Sequence, residues 1–304
     1  MAVGLLFQHL NTGGRTTLYG IQYVLKYALG KDVAGRNLAV YPDDTFIVSY
    51  PRSGNTWTRF LIANLLHPNE PVTFANIETL IPDAEAQSSR MLKRTPRPRY
   101  IKSHEYFDHR YRKVIYIVRD PRDVVLSYYN FARKYRHIED DYPLERYVED
   151  FVAGRLSSAD WGTWAENVGT WISARGKDPD FLLLRYEDMQ RNTSQELARI
   201  ADFFGIEADA ASRERVIQRS SAQQMRELEK KQAGEWVSTK NQRADIPFVG
   251  AASTGGWKTK LPAASIARIE SEWGALMQFL EYELVTEVGQ NAAAERIALS
   301  RVGQ

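Results

Sequence analysis

Short β-branched runs alternate with helically spaced apolar residues along the chain. Thr45 to Tyr50 is an unbroken run of β-branched, small and aromatic residues closed by Pro51, and it predicts a buried strand. After the turn Arg52-Ser53-Gly54-Asn55, residues Trp57, Phe60, Leu61 and Leu65 follow helical spacing, with Pro68 as a stop signal. The pattern returns in Lys113 to Val118, a second strand, after which Asp120-Pro121 opens a helix with Val124, Tyr128, Phe131 and Tyr135 on one face. Phe181 to Leu184 predicts another strand, followed by Arg185-Tyr186-Glu187-Asp188 and a helix from about Ser194 to Phe204. Strands alternating with helices in this way predict an α/β fold with a parallel sheet covered on both faces.

Two segments break the pattern. Pro82 to Pro98, with three prolines and several basic residues, predicts irregular structure; so does Ala233 to Pro262, with Gly250, Gly255 and Gly256. Long irregular segments in a compact domain are often functional lids. The tail after Gly289 is small and polar, and is expected to add little to the core.

Composition narrows the chemistry. The 304 residues are 43% hydrophobic, enough for a large core within one α/β unit. A net charge of only +2 gives no global field for nucleic acid, so any anion site must be local. There is no cysteine, which excludes a disulfide framework, a thiolate nucleophile and a Cys-ligated metal, and fits a reducing compartment. The N-terminus lacks a basic start before a long apolar core, and the apolar stretch Tyr19 to Leu29 is broken by Gln22 and Lys26. Neither a signal peptide nor a membrane span is expected, and the cytoplasm is the expected location.

Tyr50-Pro-Arg-Ser-Gly-Asn-Thr-Trp57 lies between a predicted strand and helix. Such a turn aims unpaired backbone N–H groups and the positive helix end at one spot, which suits a phosphate. Gly54 permits close backbone approach, Asn55 or Thr56 can cap the helix, and Arg52 adds a fixed charge. The Gly-Lys-Ser/Thr of ATP-binding P-loops is absent, which removes a kinase reading.

This octapeptide resembles the 5′-phosphosulfate loop of the PAPS-dependent cytosolic sulfotransferases, usually written Tyr-Pro-Lys-Ser-Gly-Thr-Thr-Trp. Other segments extend the likeness over about residues 40 to 285. Lys113-Val-Ile-Tyr-Ile-Val-Arg-Asp-Pro-Arg-Asp-Val-Val-Leu-Ser127 is similar to the 3′-phosphate motif, placing Arg119 and Ser127 on that phosphate. Trp161 to Trp171 is similar to a tryptophan-rich family helix whose rings read as core packing. Leu184-Arg-Tyr-Glu-Asp188 matches the element whose tyrosine, here Tyr186, helps bind the adenine end. Thr254-Gly-Gly-Trp-Lys258 is close to Thr-Gly-Asp-Trp-Lys, and Ser220-Ser-Ala-Gln-Gln-Met225 to a stretch that adds Ser220 to the nucleotide contacts. The resemblance implies one domain over residues 1–304, a P-loop-like three-layer fold with a central parallel sheet flanked by helices, and no metal.

It also implies the reaction. PAPS (3′-phosphoadenosine 5′-phosphosulfate) would donate a sulfuryl group to a hydroxyl of a small acceptor. His104 in Lys102-Ser-His104 matches the general base, while Lys102 and Arg52 would stabilise the transferring charge; Ser53, Gly54, Asn55, Thr56 and Trp57 would complete the donor site. The alternatives are a nucleotide-binding protein without turnover and a sulfonation that activates a hydroxyl for elimination.

Several positions depart from the family. Arg52 replaces a lysine, Gly250-Ala-Ala252 replaces Arg-Lys-Gly and so lacks two 3′-phosphate cations, and Ala222 replaces a phenylalanine that stacks on adenine. Lys240, Arg243, Lys258 and Lys260 are candidate substitutes for the cations, and Trp57 for the ring. The family's dimer signature is not kept after Lys258, so the oligomeric state stays open. Phe107, Tyr129, Phe131, Tyr142 and Trp236 are candidates for an aromatic acceptor pocket.

Overall fold

Four strands, β1 (Thr45–Ser49), β2 (Tyr100–Ser103), β3 (Lys113–Val118) and β4 (Phe181–Arg185), run parallel in the order β2-β1-β3-β4 in a computed structural model. It describes residues 33–302 except 233 and 251, with side chains to residue 295; Tyr19 to Leu29 lies outside the described residues. Side chains alternate across the sheet. Phe46 and Val48 of β1 join Val114, Tyr116 and Val118 of β3 in one apolar layer with Trp164, Trp171 and Trp273. Ile47, Ile115 and Ile117 face the opposite layer with Phe60, Leu197 and Trp236. The continuous apolar runs in the sequence thus reflect a sheet buried on both sides.

The helices are α1 (Asn55–Leu66), α2 (Ile77–Leu80), α3 (Ser89–Arg94), α4 (Pro121–Lys134), α5 (Leu144–Val152), α6 (Trp164–Arg175) and α7 (Tyr186–Arg191). They continue with α8 (Thr193–Phe204), α9 (Ala210–Arg219), α10 (Ala222–Gln232), α11 (Trp257–Lys260), α12 (Ala263–Phe279) and α13 (Glu287–Val302). Local chemistry sets several starts. Asp120 accepts from the Arg122 amide with Pro121 at the first helical position, and Thr163 with Glu166 forms a reciprocal capping box on α6.

Two segments are more ordered than the sequence suggests. In the proline-bearing stretch, Lys102 N–H donates to Pro82 O and Ala84 N–H to Lys102 O, both at 2.9 Å, so residues 82–84 cover the open edge of β2. Ser88 then caps α3 through the Met91 amide. The tail after Gly289 is also helical and reaches the core, with Ala293 only 1% exposed. Gly274 of α12 permits this approach, because a Cβ there would meet Ala293 Cβ at 3.4 Å and Gly289 O at 3.1 Å. Small residues pack here by close fit rather than bulk.

Candidate active site

The strand order places a topological switch between β1 and β3: the chain leaves β1 towards β2 and leaves β3 towards β4. Open α/β sheets bind ligands at the carboxyl ends beside such a switch. Arg52 follows β1, His104 follows β2, Arg119 follows β3 and Tyr186 follows β4, so the four predicted residues converge on one end of the sheet.

After β1 the backbone turns sharply, with Arg52 at φ 68° and Gly54 at φ 98°. A non-glycine residue in the left-handed region is a costly conformation that tends to mark functional turns. The Gly54 position is closed by Tyr186, since a Cβ would lie 2.4 Å from Tyr186 Cδ2. Glycine is therefore required so that this ring can lie on the loop. Arg119 stacks on the ring with its guanidinium carbon 4.3 Å from the centroid, and Trp57 packs edge-on to it at 5.8 Å. Trp57 Nε1 donates to Ser220 O at 3.0 Å.

The cations of this cradle are held by neutral acceptors. Arg119 donates to Arg52 O at 3.2 Å and Ser253 O at 3.0 Å, and its buried Nε has no partner among the described residues. Its neighbouring carboxylates are engaged elsewhere: Asp120 with Arg122, and Asp123 with the Gly255 and Trp257 amides. Arg52 donates to Ser127 Oγ at 3.2 Å and Phe248 O at 3.4 Å, between the rings of Phe131 and Phe248. Burial pulls this guanidinium down to about 10, which still leaves it cationic at neutral pH. The Ser53 hydroxyl is also buried without a partner among the described residues. Unpaired donors on Ser53 and Arg119, with Arg52 beside them, fit an incoming phosphate.

The end of β2 is built differently. Lys102 Nζ contacts Asp83 at 2.9 and 3.0 Å and Glu85 at 2.9 Å, so its charge is met by one buried and one half-buried carboxylate. Burial opposes the ammonium, but these carboxylates outweigh it and hold Lys102 above its ordinary value. Glu85 also accepts from Ser103 Oγ at 2.9 Å and from the His104 amide at 2.6 Å, so three consecutive residues converge on it. The His104 ring Nδ1 lies 2.7 Å from Ser49 O. A carbonyl can only accept, so this contact assigns the proton to Nδ1 and leaves the Nε2 lone pair outward. Among the described residues Nε2 has no hydrogen-bond partner. Burial, aided by Lys102, pulls His104 down to about 3, and the ring is neutral.

Other predicted residues are placed elsewhere or act differently. Asn55 does not cap α1; its amide reaches back to Ile47 O at 3.1 Å and Ser49 Oγ at 3.2 Å, while Thr56 stays half-buried at the helix start. Ser220 is fully buried, and its hydroxyl accepts from Asn64 at 3.1 Å. Trp164 and Trp171 are core, as expected, but Trp161 stands edge-on to His104 at 6.4 Å. Of the aromatic candidates, Phe131 meets Arg52 and Trp236 packs on Phe74 and on the Phe248 ring beside Arg52, whereas Phe107 packs on Trp171 and Tyr129 on Tyr147; Tyr142 contacts Tyr147. Arg243 is paired with Asp140 and Asp245, and Lys258 with Glu283. Asp83, Glu85, Phe248 and Arg226 (which donates to Gly250 O) escaped the sequence analysis. A polar Asp-x-Glu in a proline-rich stretch was the only local signal for the first two.

Comparison with known proteins identifies the family and the fold. The profile described as "Sulfotransferase domain" matches residues 42–280. Sulfotransferase 1A1 of Mus musculus is 28% identical over 258 residues, covering 80% of this chain and 87% of that protein. Its Rattus norvegicus counterpart is 27% identical, covering 83% and 91%. In fold, the chain is similar to mouse sulfotransferase SULT7A1 complexed with PAP, with a TM-score of 0.66, 20% identity and coverage of 87% and 92%. A retinol dehydratase structure in complex with androsterone and PAP gives a TM-score of 0.66 and 20% identity, covering 88% of each chain. With most of its length matched and its strand ends arranged as described, the chain belongs to the PAPS-dependent sulfotransferase family and is an enzyme of that class.

Proposed function

We propose that the chain transfers the sulfuryl group of PAPS to the hydroxyl of a small-molecule acceptor, with His104 as general base. The observation carrying this reading is the Nδ1 contact of His104 with Ser49 O at 2.7 Å, which leaves a neutral Nε2 lone pair at the end of the sheet that also holds Arg52 and Arg119. The SULT7A1 and retinol dehydratase structures that the chain resembles contain PAP, and the unpaired donors of Ser53 and Arg119 suit its phosphates. PAPS supplies an electrophilic sulfur with a phosphate leaving group.

His104 Nε2 takes the acceptor proton as the acceptor oxygen–sulfur bond forms and the sulfur–phosphate oxygen bond breaks. Arg52 stabilises charge on the transferring and bridging oxygens, and Arg119 with Ser53 anchors the nucleotide. Lys102 acts mainly from behind, because its ammonium is tied to Asp83 and Glu85. We take residues 1–304 as one sulfotransferase domain and place it in the cytoplasm, in keeping with a chain without cysteine. Among the described residues no helix is long and apolar enough to cross a membrane.

Incubation with PAPS and a panel of phenols and alcohols tests the reaction. A released sulfate ester in the mass spectrum, formed in step with PAP, is expected. PAP formation with an unsulfated, dehydrated acceptor would replace the reading with elimination. Absence of both with every acceptor class would leave a nucleotide-binding protein.

A further inference from the structure

Three guanidinium groups lie on the carbonyls of one short segment. Arg52 donates to Phe248 O at 3.4 Å, Arg226 to Gly250 O at 2.8 Å and Arg119 to Ser253 O at 3.0 Å. Arg52 and Arg119 belong to the site already described, but Arg226 comes from α10. The segment Phe-Val-Gly-Ala-Ala-Ser253 contributes no cation of its own. Gly250 and Ser253 are three residues apart, so even along an extended chain these two carbonyls would lie only about 10 Å apart. Arg226 and Arg119 therefore rest on the same short stretch of backbone.

Among the described residues neither guanidinium has a carboxylate partner, and Arg119 Nε is buried without a hydrogen-bond partner. By contrast, nearby Arg243 is paired with Asp245 at 2.6 Å. The two acids on α10 are engaged elsewhere: Glu227 accepts from Gln223 at 3.3 Å, and Glu229 accepts from the Phe248 and Val249 amides at 2.6 and 2.9 Å. Two cations resting on neutral carbonyls are ready for exchange, since an anionic oxygen is a stronger acceptor than a carbonyl.

We propose that Arg226 is a nucleotide-specificity residue that joins Arg119 in binding the 3′-phosphate of the donor. This rests on the PAPS reading and supplies from α10 the charge missing at Gly250-Ala-Ala252. The 3′-phosphate takes the guanidiniums of Arg226 and Arg119 in exchange for their contacts with Gly250 O and Ser253 O.

Calorimetric titration of the full chain with PAP and with ADP, for wild type, Arg226→Ala and Arg226→Gln, tests this. The glutamine variant keeps a donor for Gly250 O but removes the charge. Both variants are expected to bind PAP about 10- to 100-fold more weakly, with ADP affinity unchanged. Full retention of the PAP preference in Arg226→Gln would overturn the role of Arg226 while leaving the donor reading intact. Equal loss of PAP and ADP would mean that Arg226 merely shapes the loop, again overturning the proposal. A wild type that binds PAP no better than ADP would overturn the donor reading and this proposal together.

Discussion

The two halves of the site hold their cations in opposite ways. At the end of β2, Lys102 is met by Asp83 and Glu85, and Glu85 also takes the Ser103 hydroxyl and the His104 amide. At the ends of β1 and β3, Arg52 and Arg119 rest on carbonyls and aromatic rings, with no carboxylate partner among the described residues. A buried ion pair with satisfied hydrogen bonds is fixed in place, because leaving either partner alone is costly. A guanidinium on a neutral carbonyl exchanges readily for an anion. One half is thus ordered for chemistry before ligand arrives, and the other is kept open for phosphates. Rigidity and availability come from the choice of partner rather than from the cation.

The largest expected effect separates the halves outright. His104→Ala should lower turnover by about 100- to 10,000-fold and leave PAP affinity within about 2-fold. Arg119→Ala should do the converse at saturating donor, weakening PAP by about 10- to 100-fold with a far smaller change in turnover. Steady-state kinetics beside calorimetry measures both. If His104→Ala turned over at near wild-type rate, the general-base assignment would fail. If Arg119→Ala left PAP affinity unchanged, the nucleotide half would be misplaced.

A second, smaller effect probes the ordered half alone. Glu85→Gln keeps the shape and one acceptor oxygen, but leaves Lys102 with only Asp83 and weakens the hold on the His104 amide. Thermal and denaturant unfolding should show a loss of about 1–3 kcal/mol. Turnover should fall while PAP affinity is unchanged, because the nucleotide half does not touch Glu85. Equal losses in turnover and PAP affinity would mean that the halves are mechanically coupled, and the contrast would collapse.

What the sequence revealed follows the same division. Arg119, Tyr186 and His104 sit directly after strands and Arg52 three residues after one, so each lay in a short local motif that the sequence could show. Gly54 was legible as a special position, but that Tyr186 rather than a ligand fills the space beside it depends on a contact across 132 positions. Asp83 and Glu85 were hidden because they are polar residues in a proline-bearing stretch, and reach Lys102 only through pairing of residues 82–84 along the edge of β2. Arg226 was hidden for a like reason: nothing on α10 announces that its side chain meets Gly250 O. The tail misled in the opposite sense, since small residues suggested weak packing where Gly274 and Ala293 pack closely. Strand ends and turns are written locally, whereas ion pairs and close helix contacts are written in the tertiary fold.

The smallest effect concerns the proton on His104. Burial holds the folded ring at about 3, against about 6.5 in an unfolded chain. Between those values the unfolded chain binds the extra proton and the folded chain does not. Stability from this group is therefore full above about pH 6.5 and declines as pH falls towards 3, by up to about 1.4 kcal/mol per pH unit. Carboxylates titrate in the lower part of this window, so the comparison is best made between pH 6.5 and 5 against His104→Gln, whose amide cannot take up the proton there. The wild-type unfolding midpoint should drop faster on acidification than that of the variant, and the acid limb of wild-type kcat/KM should lie well below 6.5. Parallel stability curves with an acid limb near 6.5 would mean that His104 is solvated rather than enclosed, and that the β2 half is not ordered in the way its hydrogen bonds imply.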